Sequence, residues 1–378
     1  MTGVSRYAPL LCIAPAFAQL VPGGAAAVGM SQARLDRVHS MLESEAARGL
    51  GAASILVARH GTIVLHKGYG HRSRLPEAPA AEPDSVYLVA SITKPVTATA
   101  LMILVERGKV SLQDPVSTYL PEFTGGERNK VRVLDLLAHT SGLPDMLPEN
   151  TELRRAHAPL SEFVKRTYTT PLLFTPGTAF RYQSMGVLLA AEIVERISGM
   201  PLRDFERKEI FEPLEMKHTA LGLGGMRIAD TVQIEDADKT NFGSNSEYWR
   251  NMGHPWGGMH TTTADLATLL QTFLNGGSYG GKRILSPASV RAMLTDQNAR
   301  LHAPWGIGFA LGRSIAWNEF GDLVSAATFG HAGASGTVEW ADPETGLICV
   351  VLTNRPLSAD NGHFLRLVSN AVAASVDK

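Results

Sequence analysis

The stretch "VYLVASITKPVTATALMILVERGKV", residues 86–110, decides how this chain is read. Its opening residues, Val86 to Val89, describe a short strand, and the long apolar run after Ser91 describes a buried helix that stops near Gly108. Ser91 and Lys94, three residues apart, share one face of that helix. A lysine so placed can take the serine's proton, provided burial keeps part of it neutral. The strand-to-helix junction would also set the Ser91 N–H and the positive helix end beside a developing oxyanion. The same residues equally describe a serine helix cap with a solvated lysine. Taken alone, the motif leaves both readings open.

Two other serines compete. Ser375-Val376-Asp377-Lys378 repeats the spacing, but on the last four residues, where the chain is expected to fray. Gly276-Gly277-Ser278-Tyr279-Gly280 fits the G-x-S-x-G pattern, which needs a strand running in and a helix leaving. Here the helical "LATLLQTFLN" (266–275) runs in and "GGKRIL" (280–285) leaves as a turn. With 36 glycines in the chain a chance match is unsurprising, so Ser278 reads as part of a Gly-rich helix stop.

Working outward, "SQARLDRVHSMLESEAARG" (31–49) is a helix with a Ser31 cap and a Gly49 stop. "ASILVARHGTIVLHKGYG" (53–70) reads as two strands turning at His60-Gly61. From about 110 to 300 the texture is helical, in "VRVLDLLAH", "SEFVKRTY", "MGVLLAAEIVERISG", "LRDFERKEIFEPL" and "TADLATLLQTFLNGG". Strand texture returns in "PWGIGFALGR" (304–313), "SAATFGHAG" (325–333) and "GTVEWADPETGLICVVLTN" (336–354), with a turn at Asp342-Pro343. "GHFLRLVSNAVAASV" (362–376) closes as a helix. These patterns predict an α+β fold, an α/β/α sandwich around an antiparallel sheet built from both chain ends, with an inserted all-helical region. The α/β region would comprise 30–109 and 301–378, the helical region 110–300, with the active cleft between them.

Composition narrows the function. The 378 residues are 44% hydrophobic and 19% charged with a formal net charge of -1, which argues against a nucleic-acid partner or a polybasic membrane surface. No apolar stretch reaches the roughly eighteen residues of a spanning helix. Cys12 and Cys349 lie at opposite ends and make no metal or redox spacing, and no structural disulfide is expected. There is no HExxH motif and no Cys/His cluster, and "EDADKTN" (235–241) lacks the ligand positions of a calcium loop. Neither a metal nor a cofactor is expected. Residues 1–29 are expected to lie outside the fold. Residues 1–18, ending in Ala16-Phe17-Ala18, read as an export signal or as a disordered extension, the latter going with a soluble, cytoplasmic protein.

Two further stretches supply candidate chemistry. Tyr182-Gln183-Ser184 opens a helix after a "TPGT" turn (175–178). A phenol between Lys94 and Ser91 could relay a proton, although it could also simply pack its ring. His331-Ala332-Gly333 leads into a strand, and glycine there lets a backbone edge approach a ligand. By itself His331 reads as an ordinary strand-end histidine, and His139 in "AHTSG" as a helix-end residue near a Gly142 stop.

In order, Ser91-x-x-Lys94, Tyr182-x-Ser184 and His331-x-Gly333 resemble the three signatures of the class C β-lactamase/DD-peptidase superfamily, and most closely the family VIII carboxylesterases. "LLAHTSGLP" (136–144), "WGGMHTTTADLATLL" (256–270) and "LTNRP" (352–356) add to the likeness, which spans roughly 31–375. The resemblance implies that Ser91 is acylated, that Lys94 and Tyr182 form a coupled base, and that the N–H groups of Ser91 and Ala334 make the oxyanion hole. It places Ser184, His331, Gly333 and Trp256 on the substrate side, with Trp249, Met252 and Trp305 as further acyl-pocket candidates.

The chain departs from the β-lactamase pattern in two places. Ser184 stands where those enzymes have Asn, and His331 where a Lys is usual. A mostly neutral imidazole holds a substrate carboxylate less well than an ammonium, which favours neutral esters; Arg355 is the alternative carboxylate partner. The expectation is a serine hydrolase of small neutral esters with short acyl chains. A D-amino-acid peptidase, a weak β-lactamase, an acyltransferase and a catalytically silent binding domain of this fold remain as rivals.

Overall fold

The computed structural model describes residues 19–75, 77–235, 239–312, 314 and 319–377. Cys12, the Ala16-Phe17-Ala18 pattern, residues 236–238 of "EDADKTN" and Lys378 lie outside the described residues. The strands are β1 (Val21–Pro22), β2 (Ala52–Arg59), β3 (Thr62–Gly70), β4 (Tyr87–Leu88), β5 (Ala220–Leu221), β6 (Met259–Thr261), β7 (Ser278–Tyr279), β8 (Lys282–Arg283), β9 (Ala310–Leu311), β10 (Phe329–Gly333), β11 (Thr337–Asp342) and β12 (Leu347–Thr353). The helices are α1 (Gln32–Ala47), α2 (Thr93–Glu106), α3 (Val133–Leu137), α4 (Asn150–Arg155), α5 (Leu160–Thr169), α6 (Met185–Ser198), α7 (Leu202–Glu206), α8 (Glu247–Met252), α9 (Thr263–Leu274), α10 (Pro287–Met293) and α11 (His363–Ala373).

One sheet of seven strands runs in the order β1-β3-β2-β12-β11-β10-β9, so both chain ends meet at β2 and β12. Neighbours pair antiparallel except β1 with β3. The central strands are buried on both faces, which is why "LICVVLT" is a continuous apolar run rather than an alternation. Ile55, Val57, Val338, Trp340, Cys349 and Val351 point to one face, the outer one, where α1 and α11 cover them. Leu56, Ala58, Ala341, Ile348, Val350 and Leu352 point to the inner face and join the core of the helical layer. Within that layer α2 is buried almost all round from Thr93 to Leu104, so its uniformly apolar sequence reflects its central position.

Several expectations need correction. Residues 20–29 belong to the fold: Val21 and Gly23 donate backbone hydrogen bonds to Gly61 and Ile63, and Arg59 donates to the Val28 and Gly29 carbonyls. The two-residue β1 satisfies an open sheet edge, which hydropathy does not reveal. Ser31 holds the cap position of α1 without a side-chain cap bond. Ser375 is fully buried rather than frayed, because its carbonyl accepts the Ser31 N–H and Arg34 pairs with Asp377. Most of 304–312 is irregular, with only Ala310–Leu311 in the sheet, and residue 313 lies outside the described residues. Two small sheets, β4-β6-β5 and the β7-β8 hairpin, draw strands from the stretch expected to be helical.

Candidate active site

The site grows from the segment that joins β4 to α2. Val89 donates to the Met259 carbonyl, and Thr93 Oγ1 both donates to the Ala90 carbonyl at 2.7 Å and accepts from the Met259 N–H at 3.0 Å. These bonds clamp a tight turn, residues 90–92, against β6. Ala90 sits at φ 46°, in the left-handed region that costs a residue with a Cβ, so the turn carrying Ser91 is strained and held by its surroundings.

Lys94 is 1% exposed, and its Nζ lies 2.9 Å from Ser91 Oγ and 3.0 Å from the Trp256 carbonyl. Burial pushes its ammonium down to about 7, with the Asp145 carboxylate opposing the shift. Such a lysine is substantially neutral near pH 7 and can accept a proton. The cap reading with a solvated lysine does not describe this geometry.

Tyr182, at the entry to α6, lies with its ring centroid 4.7 Å from Lys94 Nζ. Burial drives its phenol far above the ordinary range, and the nearby Ser91 hydroxyl opposes that. The ring stands within 4.6 Å of His139 and 5.9 Å of both Trp305 and His331, centroid to centroid. Next to it, Gln183 donates its backbone N–H to His139 Nδ1 and its side chain meets Ser141 and the Asp135 carbonyl. Ser184 Oγ donates to Asp145 Oδ1 at 2.6 Å.

His331 is fully buried on β10, with Nδ1 2.6 Å from the Ala332 carbonyl oxygen, so that nitrogen carries the proton. Burial first, and the Lys94 charge second, hold the imidazole down at about 3, so it is neutral. Gly333 is dictated by contact: a Cβ there would lie 2.1 Å from the Val89 carbonyl oxygen. That approach, together with the Thr337 hydroxyl on the same oxygen, sets the Ala334 turn against the Ser91 turn.

The remaining candidates divide. Trp305 is fully buried among Tyr182, His139 and His331. Trp256 contacts Lys94 through its carbonyl, while its ring packs with His254, Phe163 and Trp249. Met252 lines a separate cavity of about 580 Å³ between α5, α6, α7 and α8 whose walls include none of Ser91, Lys94, Tyr182 or His331. Arg355 is engaged by Glu45. Ser278 lies in the β7-β8 hairpin, with no helix leaving it. Sequence reasoning missed Asp145, and it treated His139 as a mere helix end. His139 is 1% exposed at φ 61° and packs edgewise on Trp305.

The assembled groups are a half-buried hydroxyl, a partly neutral amine and a buried phenol beside a neutral imidazole. Together with the sheet topology they define a hydrolase of the serine β-lactamase fold. The β-lactamase family matches residues 36–373, and this chain belongs to it. A Salmonella typhimurium protein named "Putative D-alanyl-D-alanine carboxypeptidase" is 29% identical over 371 residues, covering 88% of this chain and 85% of that protein. Among solved structures, EstCE1, "a hydrolase with promiscuous acyltransferase activity", superposes with a TM-score of 0.75 at 20% identity, covering 90% of this chain and 99% of that one. A family VIII carboxylesterase matches at TM-score 0.74 and 20% identity over 91% and 99% of the two chains. A penicillin-binding protein homologue from Caulobacter crescentus matches at 0.74 and 24% over 92% and 99%. Among the described residues no cluster of three or more His, Cys, Asp or Glu side chains is placed to hold a metal ion, and no helix is long and apolar enough to cross a membrane.

Proposed function

We propose that the protein hydrolyses small neutral carboxylic esters through an acyl-enzyme on Ser91. Ser91 Oγ attacks the ester carbonyl and its proton passes to the neutral Lys94 amine. The carbonyl oxygen takes the N–H groups of Ser91 and Ala334. The C–O bond then breaks, and the departing alkoxide receives a proton from the Tyr182 hydroxyl, which Lys94 replenishes. Water repeats the steps in reverse order and releases the acid. Residues 30–109 with 301–378, and residues 110–300, form the two walls of this site.

The observation that carries the reading is Lys94: buried, 2.9 Å from the Ser91 oxygen, and titrating near 7. Its role predicts that log(kcat/KM) climbs as pH rises through about 7, because the neutral amine is the active form. The choice of neutral esters is supported by His331, which offers no permanent cation to a substrate carboxylate. The test is fluorophosphonate labelling with peptide mapping, beside kinetics on p-nitrophenyl butyrate, a D-Ala-D-Ala peptide and nitrocefin. Labelled Ser91 and a preference for the ester are expected; no adduct at Ser91, or peptide outrunning ester, sinks the reading. The name of the Salmonella relative supports a D-alanyl peptidase as second reading, and the EstCE1 title supports transfer to an alcohol in place of water.

A further inference from the structure

One turn beyond Lys94 on α2, the hydroxyl of fully buried Thr97 lies 2.9 Å from the Pro255 carbonyl oxygen and 3.2 Å from Glu206 Oε1. A hydroxyl has one hydrogen to give, and a carbonyl can only accept. Thr97 can therefore donate to only one of the two, and both contacts are hydrogen bonds at once only when the carboxyl is protonated and donates to Thr97 Oγ1 while Thr97 donates to Pro255. Glu206 is fully buried at the end of α7, where a π-helical turn, Arg207–Phe211, takes over. Its Oε2 has no partner among the described residues.

Burial pushes the Glu206 carboxyl up to about 8, with the Thr97 hydroxyl opposing. The charged groups of the surrounding elements are engaged elsewhere. On α2, Lys94 holds the Trp256 carbonyl and Arg107 pairs with Glu209. On α6, Glu195 accepts the Leu202 N–H and Arg196 pairs with Glu192 and Glu122. On its own helix and the turn that follows, Arg203 donates to the Asn251 and Met252 carbonyls, and Arg207 pairs with Glu212 and Asp204. In the 253–256 loop, His254 is kept neutral by burial and by the Arg154, Lys94 and His260 charges.

Pro255 and Trp256 are consecutive, and the Trp256 carbonyl is the one that holds Lys94. We propose that Glu206, as a neutral acid, is a positioning residue for Lys94, its proton leaving Thr97 free to hold the Pro255–Trp256 segment on which the Lys94 amine rests. The inference depends on the reading that Lys94 activates Ser91. When Glu206 ionises, the Thr97 hydrogen turns to the carboxylate, Pro255 is released, and the Trp256 carbonyl moves off Lys94. Activity then falls as pH rises through about 8, opposite in sign to the rise that Lys94 produces near 7.

The test measures kcat/KM on p-nitrophenyl butyrate, and the rate of fluorophosphonate labelling of Ser91, across pH for wild type, Glu206→Gln and Glu206→Leu. Wild type is expected to lose about tenfold per pH unit above the Glu206 titration. Glu206→Gln, whose amide donates at every pH, should lie within about threefold of wild type at neutral pH and lose the alkaline fall. Glu206→Leu, which leaves Thr97 no competing acceptor, should likewise lose the alkaline fall. Stability gives a readout independent of catalysis: a raised carboxyl makes wild type lose stability as pH climbs from its unfolded value to its folded one, and Gln should flatten that slope. If the Glu206 variants do not accumulate, Thr97→Ser should keep the alkaline fall and Thr97→Val should lose it. A Gln or Leu variant with the wild-type alkaline fall, or identical Ser and Val profiles, overturns the proposal. Failure of wild-type Ser91 to label would overturn the esterase reading itself, so the two failures are distinguishable.

Discussion

The two faces of the central sheet do different work with the same strands. The outer face carries Ile55, Val57, Val338, Trp340 and Val351 against α1 and α11, and its notable polar contact is Trp340 Nε1 donating to Ser369 at 3.1 Å. The inner face interleaves polar groups with its apolar ones: Ser54 bonded to Tyr87 and the Glu82 carbonyl, Thr337 bonded to the Val89 carbonyl, His331, and Glu339 opposite it on β11. Buried polar groups cost free energy unless they are hydrogen-bonded, so a sheet under selection for stability alone would resemble the outer face on both sides. The inner face accepts that cost where it docks the Ser91 turn. Separating stability from chemistry along one strand is what the period-two geometry permits.

The sharpest way to break this comparison is Ser91→Ala. Kinetics should show kcat falling about 10⁴-fold or more while Tm stays close to wild type. A large drop in Tm would mean the site also holds the fold. Trp340→Ala, on the other face, should cost about 3–5 kcal/mol in urea denaturation, the folded fraction keeping its kcat. Loss of kcat in the folded fraction would show the faces to be coupled. His331→Lys is expected to shift the ratio of D-Ala-D-Ala peptide to ester turnover about tenfold toward the peptide, since an ammonium holds a carboxylate that a neutral imidazole does not. An unchanged ratio would remove His331 from substrate selection. Smallest of all, Ser31→Ala should alter stability by less than about 0.5 kcal/mol, because its hydroxyl makes no cap bond.

The parts legible in the sequence were those written at short range. Ser91 and Lys94 declare their shared face by a three-residue spacing, and the apolar runs of β2, β12 and α2 declare burial by composition. Tyr182 and His331 stood out only as motifs, and nothing local tied them to Ser91. Asp145 was invisible because its partner, Ser184, lies 39 residues away. Glu206 was invisible because its environment is made by Thr97, 109 residues earlier, and by a carbonyl of Pro255. Residues 20–29 were misjudged because a sheet edge attracts a strand through backbone hydrogen bonds, to which side-chain patterns are blind.

By itself, then, the sequence determined the α+β architecture, the two chain ends that build its sheet, and which serine has an amine one helical turn away. Tertiary structure alone decided that burial pushes this amine down to about 7, that the Tyr182 ring comes to lie beside it, and that burial pushes the Glu206 carboxyl up to about 8. The reason is physical: periodicity records which way a side chain points, whereas protonation depends on desolvation and on partners brought from anywhere along the chain.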